Sequence, residues 1–342
     1  MNKIKTSLRR RDVLAGMGAG AAAALCMPAI ARAEATVMKI GTPTINDVQH
    51  EWMKVFGNAI EAGTKGAIKV ELYPASQLGA APRMIEGTQF GTIQAVVVPP
   101  EFLNGVDTRY AVLGAPGLIN NIEQGNKLVQ TPDVRDAVLA LGANKGLRGV
   151  GLFMYGPASF NFRSEVKTLK DFEGKKVRVF ASPIQTEPMK RLNATAVPMP
   201  LGEVLPALQQ GTLDGVMSVL PVFTALRFYD AAKYIVETDH AAVTVVCVVS
   251  KVWFDKLPAD QQAVIVEAGK KADKENYVFA LDFMAKAKQT WTSNGGTIVK
   301  LSAAEQTELT KLLRPIATEV TSKKPEEKAL YELMAKAAGV SL

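Results

Sequence analysis

The chain has 342 residues and a formal net charge of +7, and 48% of its residues are hydrophobic. This length is ample for a buried core and is typical of two domains rather than one. The positive charge is concentrated at the N-terminus, because residues 1–33 carry six basic side chains against one acidic one and the remainder keeps only +2. A nucleic-acid-binding protein would be expected to keep a strong basic patch, so the composition excludes nucleic acid as a partner.

An export signal is predicted at residues 1–33. A cationic segment at 1–11 precedes an apolar segment rich in alanine and glycine at 13–30, and residues 31–33 (ARA) fit a small-x-small cleavage site. The three arginines at 9–11 favour the twin-arginine export route, and an ordinary Sec signal is the alternative. We therefore expect a mature chain that starts near Glu34, is soluble and lies in the periplasm.

The sequence after the signal contains few residues of the kinds that enzymes use. Its only cysteine is Cys247, within an apolar run, and its only histidines are His50 and His240. It contains no HExxH or CxxC metal motif, no GxSxG nucleophile motif and no phosphate-binding GxGxxG or GxxxxGKS motif. We therefore expect a binding protein without metal or cofactor rather than an enzyme, and a buried, unreactive Cys247.

Strands and helices alternate in the first half of the chain. Apolar and alternating stretches predict strands at 36–41, 68–73, 93–98 and 147–154, and helices at 47–63, around 84–85, at 122–128 and at 133–141. The run at 93–98 is largely apolar, which is typical of a strand buried on both faces. This order predicts a first α/β unit of roughly 120 residues.

The second half repeats this alternation. Strands are predicted at 176–180, 196–197, from 213 onward, at 234–238 and at 241–250, and helices at 202–210, 222–229, 260–292, 301–320 (interrupted at Pro315) and 325–338. The helix at 260–292 has about nine turns, which is too long to pack on one small domain. We therefore expect it to lie across two domains.

The candidate ligand site lies within residues 174–215. The strand at 176–180 carries Arg178 close to the point where the strand runs into a loop. In open α/β sheets, ligands lie beyond the carboxyl ends of the strands, and a forked guanidinium suits a carboxylate. The alternative is a surface arginine that pairs with Glu173 or Asp171.

Four segments of the chain resemble the DctP-type solute-binding subunits of TRAP (tripartite ATP-independent periplasmic) transporters. They are YPASQLG at 73–79, LKDFEGKKVRV at 169–179, VPMP at 197–200 and EVLPALQQGTLDG at 203–215. The resemblance covers nearly all of the chain after the signal. It implies an α/β fold of two domains, each with a central mixed sheet, a ligand cleft between the domains and a long helix that spans both.

The resemblance also implies the domain boundaries. The chain would cross between domains near residues 155, 243 and 284, so that each domain is discontinuous. Domain I would comprise 34–155 with 244–283, and domain II would comprise 156–243 with 284–342.

The resemblance assigns a role to Arg178, because the arginine of the family's K-V-R-V strand pairs with the carboxylate of the ligand. Two departures from the family pattern concern the rest of the pocket. Ala158 stands where sialic-acid-binding members have a second arginine, and Met217 and Ser218 replace a glutamate and an asparagine that many members carry. Compared with those family members, the pocket of this protein is therefore expected to have fewer polar groups and more apolar ones.

These changes favour an organic acid with one carboxylate and an aromatic or branched aliphatic body. A dicarboxylate or a sugar acid would bury several polar atoms without partners, at a cost of about 1–3 kcal/mol each. Phe180 would stack on the body of the acid and Met217 would pack around it. The candidate ligand-binding residues are Arg178, Ser218, Phe180, Met217, His50, Gln49, Ala158 and Phe160.

Several alternatives remain open from the sequence. Either His50 or Gln49 is expected at the far end of the acid. His50 is equally a helix-start residue bonded to nearby backbone, and an aromatic residue such as Phe160 is more often part of the core than of a ligand site. The ligand could be a C4-dicarboxylate or a 2-oxo acid, and the protein could serve a sensor kinase or an ABC importer. A periplasmic enzyme exported with a bound cofactor is the alternative from another class. The expected partners are a small organic acid and the TRAP permease, with the protein itself a monomer.

Overall fold

The computed structural model of the protein describes residues 35–119 and 121–341. The predicted export signal, with Cys26 and the arginine run, lies outside these residues. No helix in the described part of the chain is both long and apolar enough to cross a membrane.

The described residues contain nine strands and twelve α-helices. The strands are β1 (Thr36–Gly41), β2 (Ile68–Tyr73), β3 (Ala95–Val98), β4 (Leu147–Phe162), β5 (Lys176–Val179), β6 (Thr195–Pro198), β7 (Gly215–Ser218), β8 (Tyr234–Ser250) and β9 (Thr297–Lys300). The helices are α1 (Val48–Gly63), α2 (Ala81–Phe90), α3 (Ile122–Gln130), α4 (Pro132–Leu139), α5 (Pro183–Arg191), α6 (Leu201–Gln210), α7 (Leu220–Ala225), α8 (Lys251–Phe254), α9 (Ala259–Ser293), α10 (Ala303–Leu313), α11 (Pro315–Thr321) and α12 (Pro325–Ala338).

The strands form one mixed sheet in the order β2-β1-β3-β8-β4-β7-β5-β6, and β9 also pairs with β8. The antiparallel strands β4 and β8 have 16 and 17 residues and pair along their whole length, with three register shifts. β3 pairs with the C-terminal part of β8, whereas β7 pairs with the last four residues of β4. The parallel strands β2-β1-β3 therefore lie at one end of the long pair and β7-β5-β6 at the other. The division into two domains stays a prediction.

β8 is a single strand, so the predicted break between strands at 234–238 and 241–250 is wrong. The pairing of β4 with β8 jumps from Pro157–Ala242 to Ser159–Glu237, so β8 carries a bulge at this point. Asp239 lies within the bulge and has a φ of 45°. A bulge takes up extra residues without ending a strand. From Ala241 onward every residue of β8 is buried, which explains the absence of charge in this run.

The long helix predicted at 260–292 is confirmed as α9, which has 35 residues. Near its middle, Asp273 accepts a hydrogen bond from the indole of Trp52 on α1 at 2.7 Å. Near its C-terminal end, the Ala287 carbonyl accepts one from Thr224 on α7 at 3.4 Å. The helix therefore contacts elements that follow β1 as well as elements that follow β7.

Two helices differ from the predictions. The helix predicted at 222–229 is confirmed only for residues 222–225, which lie in α7. The rest is wrong, because α7 ends at Ala225 and Arg227, with a φ of 57°, precedes a separate 3₁₀ turn. α5 was not predicted, since it is largely polar and holds Pro188 in its interior, where proline removes a backbone donor. The interruption predicted at Pro315 is confirmed, because this residue begins α11.

Candidate functional site

Arg178 lies within β5, between β6 and β7, and its side chain is completely buried. The alternative of a surface arginine paired with Asp171 or Glu173 is therefore wrong. Asp171 instead accepts hydrogen bonds of 2.8 and 2.9 Å from the backbone amides at the start of its own turn. A short parallel strand thus carries a cation into the interior of the protein.

The protein satisfies the guanidinium of Arg178 only in part. Nε donates to the carbonyl oxygen of Met199 at 3.1 Å, and Nη1 donates to that of Met217 at 3.4 Å. Nη2 has no hydrogen-bond partner within the described residues. The guanidinium carbon lies 4.7 Å from the ring centre of Phe180 and 6.0 Å from that of Phe102, within the range of cation–π attraction. One nitrogen of the fork is left available for an anion.

Arg178 stays charged in spite of its burial. Burial lowers the pKa of Arg178 to about 10, and the nearby carboxyl group of Glu101 acts in the opposite direction. A pKa of about 10 keeps the guanidinium protonated at neutral pH. Its hydrogen bonds go to neutral carbonyl oxygens, so a carboxylate would be its natural partner.

A small cavity of about 10 Å³ adjoins Arg178. Its walls are formed by Pro43, Thr44, Gln49, Pro99, Phe102, Tyr155, Arg178, Phe180, Leu201, Ser218 and Val222. These residues come from the loop after β1, the start of α1, the segment after β3, and β4, and from β5 with the loop after it, β7, α6 and α7. A volume of this size holds about one water molecule, so an organic acid enters only if the walls move apart.

The structure brings four of the predicted ligand residues together at this cavity. Arg178, Phe180, Ser218 and Gln49 all line it. Gln49 is held in place by Thr42, whose hydroxyl donates to Oε1 at 3.2 Å. Their roles in binding stay predictions, but they share one site.

The side chains of the other four predicted residues do not line this cavity. Met217 contributes its carbonyl oxygen to Arg178, while its side chain packs in the core. Phe160 stacks on His240 with ring centres 5.2 Å apart, and Ala158 is likewise buried in the same core. The Nδ1 atom of His50 accepts a hydrogen bond from a backbone amide at 3.1 Å, the contact expected of a helix-start residue. Their part in ligand binding also stays a prediction.

Tyr155 and Asp47 connect β4 to the start of α1 beside the cavity. Asp47 is the N-cap of α1 and accepts from the backbone amide of His50 at 3.0 Å, and it also accepts from the hydroxyl of Tyr155. Burial raises the pKa of both Asp47 and Tyr155. Tyr155 therefore keeps its proton at neutral pH and orients the segment that carries Gln49.

Glu101 is a site residue that sequence reasoning missed. It lies on a 3₁₀ helix, Pro100–Leu103, directly after β3, and no motif marks it. Gln185 on α5 donates to Oε1 at 3.3 Å, and Oε2 has no partner among the described residues. Burial raises the pKa of Glu101 to about 7, while its own backbone amide, Gln185 and the charge of Arg178 act against that rise. The only sequence signal for Glu101 is the pair of prolines that directly precedes it.

Exchanging Glu101 for glutamine should flatten part of the pH dependence of stability. A carboxyl group whose pKa is raised by folding contributes stability below its unfolded pKa, 4.5, and loses it as the pH rises through about 7. We expect the parent protein to lose about 2–3 kcal/mol relative to Glu101→Gln between pH 5 and pH 8. Urea unfolding without ligand at both pH values measures this difference. Glu86→Gln, which changes an exposed side chain on α2, should lose as much stability between pH 5 and pH 8 as the parent protein does. Equal losses in all three proteins would contradict the assignment of the raised pKa to Glu101.

The family model that matches the chain is DctP, bacterial extracellular solute-binding protein family 7, over residues 41–324. The 2,3-diketo-L-gulonate-binding periplasmic protein YiaO of Escherichia coli K12 is 30% identical over 238 residues, which is 69% of this chain and 72% of that protein. YiiZ of Salmonella typhimurium, an uncharacterized protein, is 29% identical over 241 residues, 70% of this chain and 73% of that protein.

Solved structures share the fold. A TRAP periplasmic solute-binding protein from Desulfovibrio salexigens with bound orotic acid has a TM-score of 0.84 and 23% identity, covering 89% of this chain and 98% of that one. A second, from Shewanella oneidensis with bound succinate, has a TM-score of 0.83 and 23% identity, covering 89% of this chain and 100% of that one. At this level of identity the likeness concerns the fold alone.

Proposed function

Since the chain belongs to the DctP family of bacterial extracellular solute-binding proteins, we propose that it captures an organic acid by pairing the acid's carboxylate with Arg178 and delivers it to a TRAP permease. As a family member it is a periplasmic solute-binding protein of a TRAP transporter and not an enzyme. The ligand and the mechanism of capture are the proposal.

The partly satisfied guanidinium of Arg178 is the observation that carries this proposal. A completely buried cation with an unpartnered Nη2 costs free energy that a carboxylate would recover, because it supplies both a charge and acceptor atoms. A buried donor without a partner costs about 1–3 kcal/mol. An anionic ligand is therefore the occupant that the site favours.

The remaining walls of the cavity favour one carboxylate on an apolar or aromatic body. Phe180 and Phe102 flank the guanidinium, and Leu201 and Val222 add further apolar surface. Among the relatives, the D. salexigens protein holds orotic acid, an acid with a ring. The S. oneidensis protein holds succinate, and this keeps a C4-dicarboxylate as the second candidate; a 2-oxo acid fits the same carboxylate pairing.

Capture would proceed by closure of two domains, 34–155 with 244–283 and 156–243 with 284–342. The cavity walls come from both sets of residues, and the cavity is too small for an acid, which favours an open form that admits the ligand. The register shifts of β4 near Met154–Gly156 and Pro157–Ser159 are suitable hinge points, since they interrupt the ladder between the two ends of the sheet. A ligand that contacts both sides shifts the equilibrium toward the closed form.

A thermal-shift screen of the exported protein, refolded to remove any carried-over ligand, tests the proposal. The panel is phenylacetate, 4-hydroxybenzoate, 3-methylbutanoate, 3-methyl-2-oxobutanoate, succinate and galacturonate. We expect the largest rise in melting temperature with one of the first three acids, because each has one carboxylate and an apolar body. A rise with succinate or galacturonate alone would overturn the monocarboxylate assignment, and no rise with any acid would overturn the proposed function.

A further inference from the structure

Glu101 is a buried carboxyl group beside the ligand cavity that the proposed function does not use. It lies between Pro99 and Phe102, which both line the cavity, and only 1% of its surface is exposed. Its Oε1 atom accepts one hydrogen bond, from Gln185, and its Oε2 atom accepts none from the described residues. A carboxylate held in this way is poorly stabilised in its ionised form.

The packing around Glu101 leaves no room for solvent on the side of Gly114. A Cβ atom built at Gly114 would lie 2.4 Å from Oε1 of Glu101 and 2.5 Å from Nε2 of Gln185. Glycine is required at this position because the backbone passes directly against both side chains. Water therefore does not screen the carboxyl group on this side, and nearby charges act on it strongly.

Arg178 is the charged group that acts on Glu101, and it lowers the pKa of the carboxyl group. His240 on β8 is neutral, since burial lowers its pKa to about 4. The other ionisable groups on the elements packed around Glu101 are neutral, exposed or engaged elsewhere. Burial raises the pKa of Cys247, which stays a neutral thiol, and the rest are as follows: Glu237 pairs with Lys288, Arg109 binds Asp107, Tyr110 donates to the Leu141 carbonyl, Lys190 pairs with Glu187, Arg191 pairs with Glu319, and Asp239, Arg83 and Glu86 are exposed.

We infer that Glu101 takes up one proton from solvent when an acid binds to Arg178, so that the affinity for the acid falls as the pH rises. The incoming carboxylate neutralises the guanidinium that had favoured the ionised form of Glu101, and it adds a second negative charge nearby. Both effects favour the protonated carboxyl group. This inference rests on the proposed function, since it takes an acid bound at Arg178 as its premise.

The same arrangement discriminates between ligands by charge. With Glu101 protonated, the single positive charge of Arg178 balances one carboxylate. A second carboxylate would enter a poorly solvated site without a cation to pair with, where like charges repel strongly. This preference for acids with one carboxylate belongs to the single charge of Arg178, because protonated Glu101 carries no charge that repels a second carboxylate.

Isothermal titration calorimetry at pH 6 and pH 8.5 tests the inference, with phenylacetate and every other acid of the panel that binds. Phenylacetate carries one full negative charge throughout this range, so its own titration does not contribute. Succinate still holds a proton on part of its molecules at pH 6, so it is compared between variants at pH 8.5 only. For a monocarboxylate we expect the parent affinity to fall up to about 30-fold from pH 6 to pH 8.5. Proton uptake, obtained by comparing the binding enthalpies in HEPPS and Tris buffers at pH 8.5, should approach one per acid bound.

Glu101→Gln should bind the same acids with less than about threefold change between the two pH values, because glutamine imitates the protonated carboxyl group. It should also bind phenylacetate up to about 30-fold more tightly than the parent at pH 8.5, because the parent must first protonate Glu101. Glu86→Gln should show the same change in affinity between the two pH values as the parent protein. The inference would be overturned if the parent affinity did not change between pH 6 and pH 8.5, or if Glu101→Gln kept the parent change. The proposed function would then still stand. An absence of binding at every pH would overturn both.

Discussion

Replacing Arg178 by alanine should weaken the binding of every acid that the parent protein binds by about 30- to 4000-fold. The ligand carboxylate would be buried without its charged partner, and truncation of one member of such a pair costs about 2–5 kcal/mol. Met199 and Met217 offer only carbonyl oxygens at this position, and these repel a carboxylate. Calorimetric titration with the acid that gives the largest thermal shift measures the loss.

Two further variants separate the role of Arg178 in binding from a general effect on folding. Arg178→Lys keeps the charge but loses the planar fork, so we expect an intermediate loss. Arg227→Ala removes an exposed arginine that pairs with Asp230, and it should leave affinity unchanged. Circular dichroism confirms that each variant is folded. An Arg178→Ala protein that is folded and binds within threefold of the parent would refute the pairing.

Asp273→Ala should destabilise the protein by about 3–5 kcal/mol, because it leaves a buried cation without its partner. Asp273 is completely buried on α9 and pairs with Arg135 at 2.6 Å. It also accepts hydrogen bonds from Trp52 at 2.7 Å and from the backbone amide of Leu152 at 3.0 Å. The exchange therefore leaves three hydrogen-bond donors without this acceptor, at the contact between α1, α9 and β4. Urea unfolding at pH 7.5 measures the loss.

The same helix offers a matched control. Asp282 on α9 pairs with Lys286, and both side chains are more than half exposed. An exposed pair of this kind contributes less than about 1 kcal/mol, so Asp282→Ala should unfold at nearly the parent urea concentration. Equal losses in the two variants would show that the effect arises from the helix rather than from the buried network.

Regular elements with strong periodicity were predictable from the sequence. β1, β2 and α9 match their predicted positions within a residue or two, because alternation and helical spacing report directly on burial. The continuity of β8 was not predictable, since the bulge at Asp239 depends on a register shift against a partner strand. Local sequence carries no information about such a partner.

The candidate site was predictable only where a motif marked it. Arg178 stands in a strand motif, and its burial agrees with the role that the motif implies. Glu101 lies on a 3₁₀ turn without periodicity, and its environment is created by Gly114 and by Gln185, which is 84 residues further along the chain. Its raised pKa is a property of tertiary packing, which no pattern in the neighbouring residues reports.

The pairing of β3 with β8 has a consequence for how the protein is made. Residues 95–98 of β3 pair with residues 246–249 of β8. One edge of β3 therefore stays unpaired until most of the chain has left the ribosome. Contacts between residues so distant in sequence slow folding and leave strand edges exposed in the meantime. We therefore expect nascent chains that end before residue 246 to remain protease-sensitive and to depend on chaperones, and the fold to form only after synthesis is nearly complete.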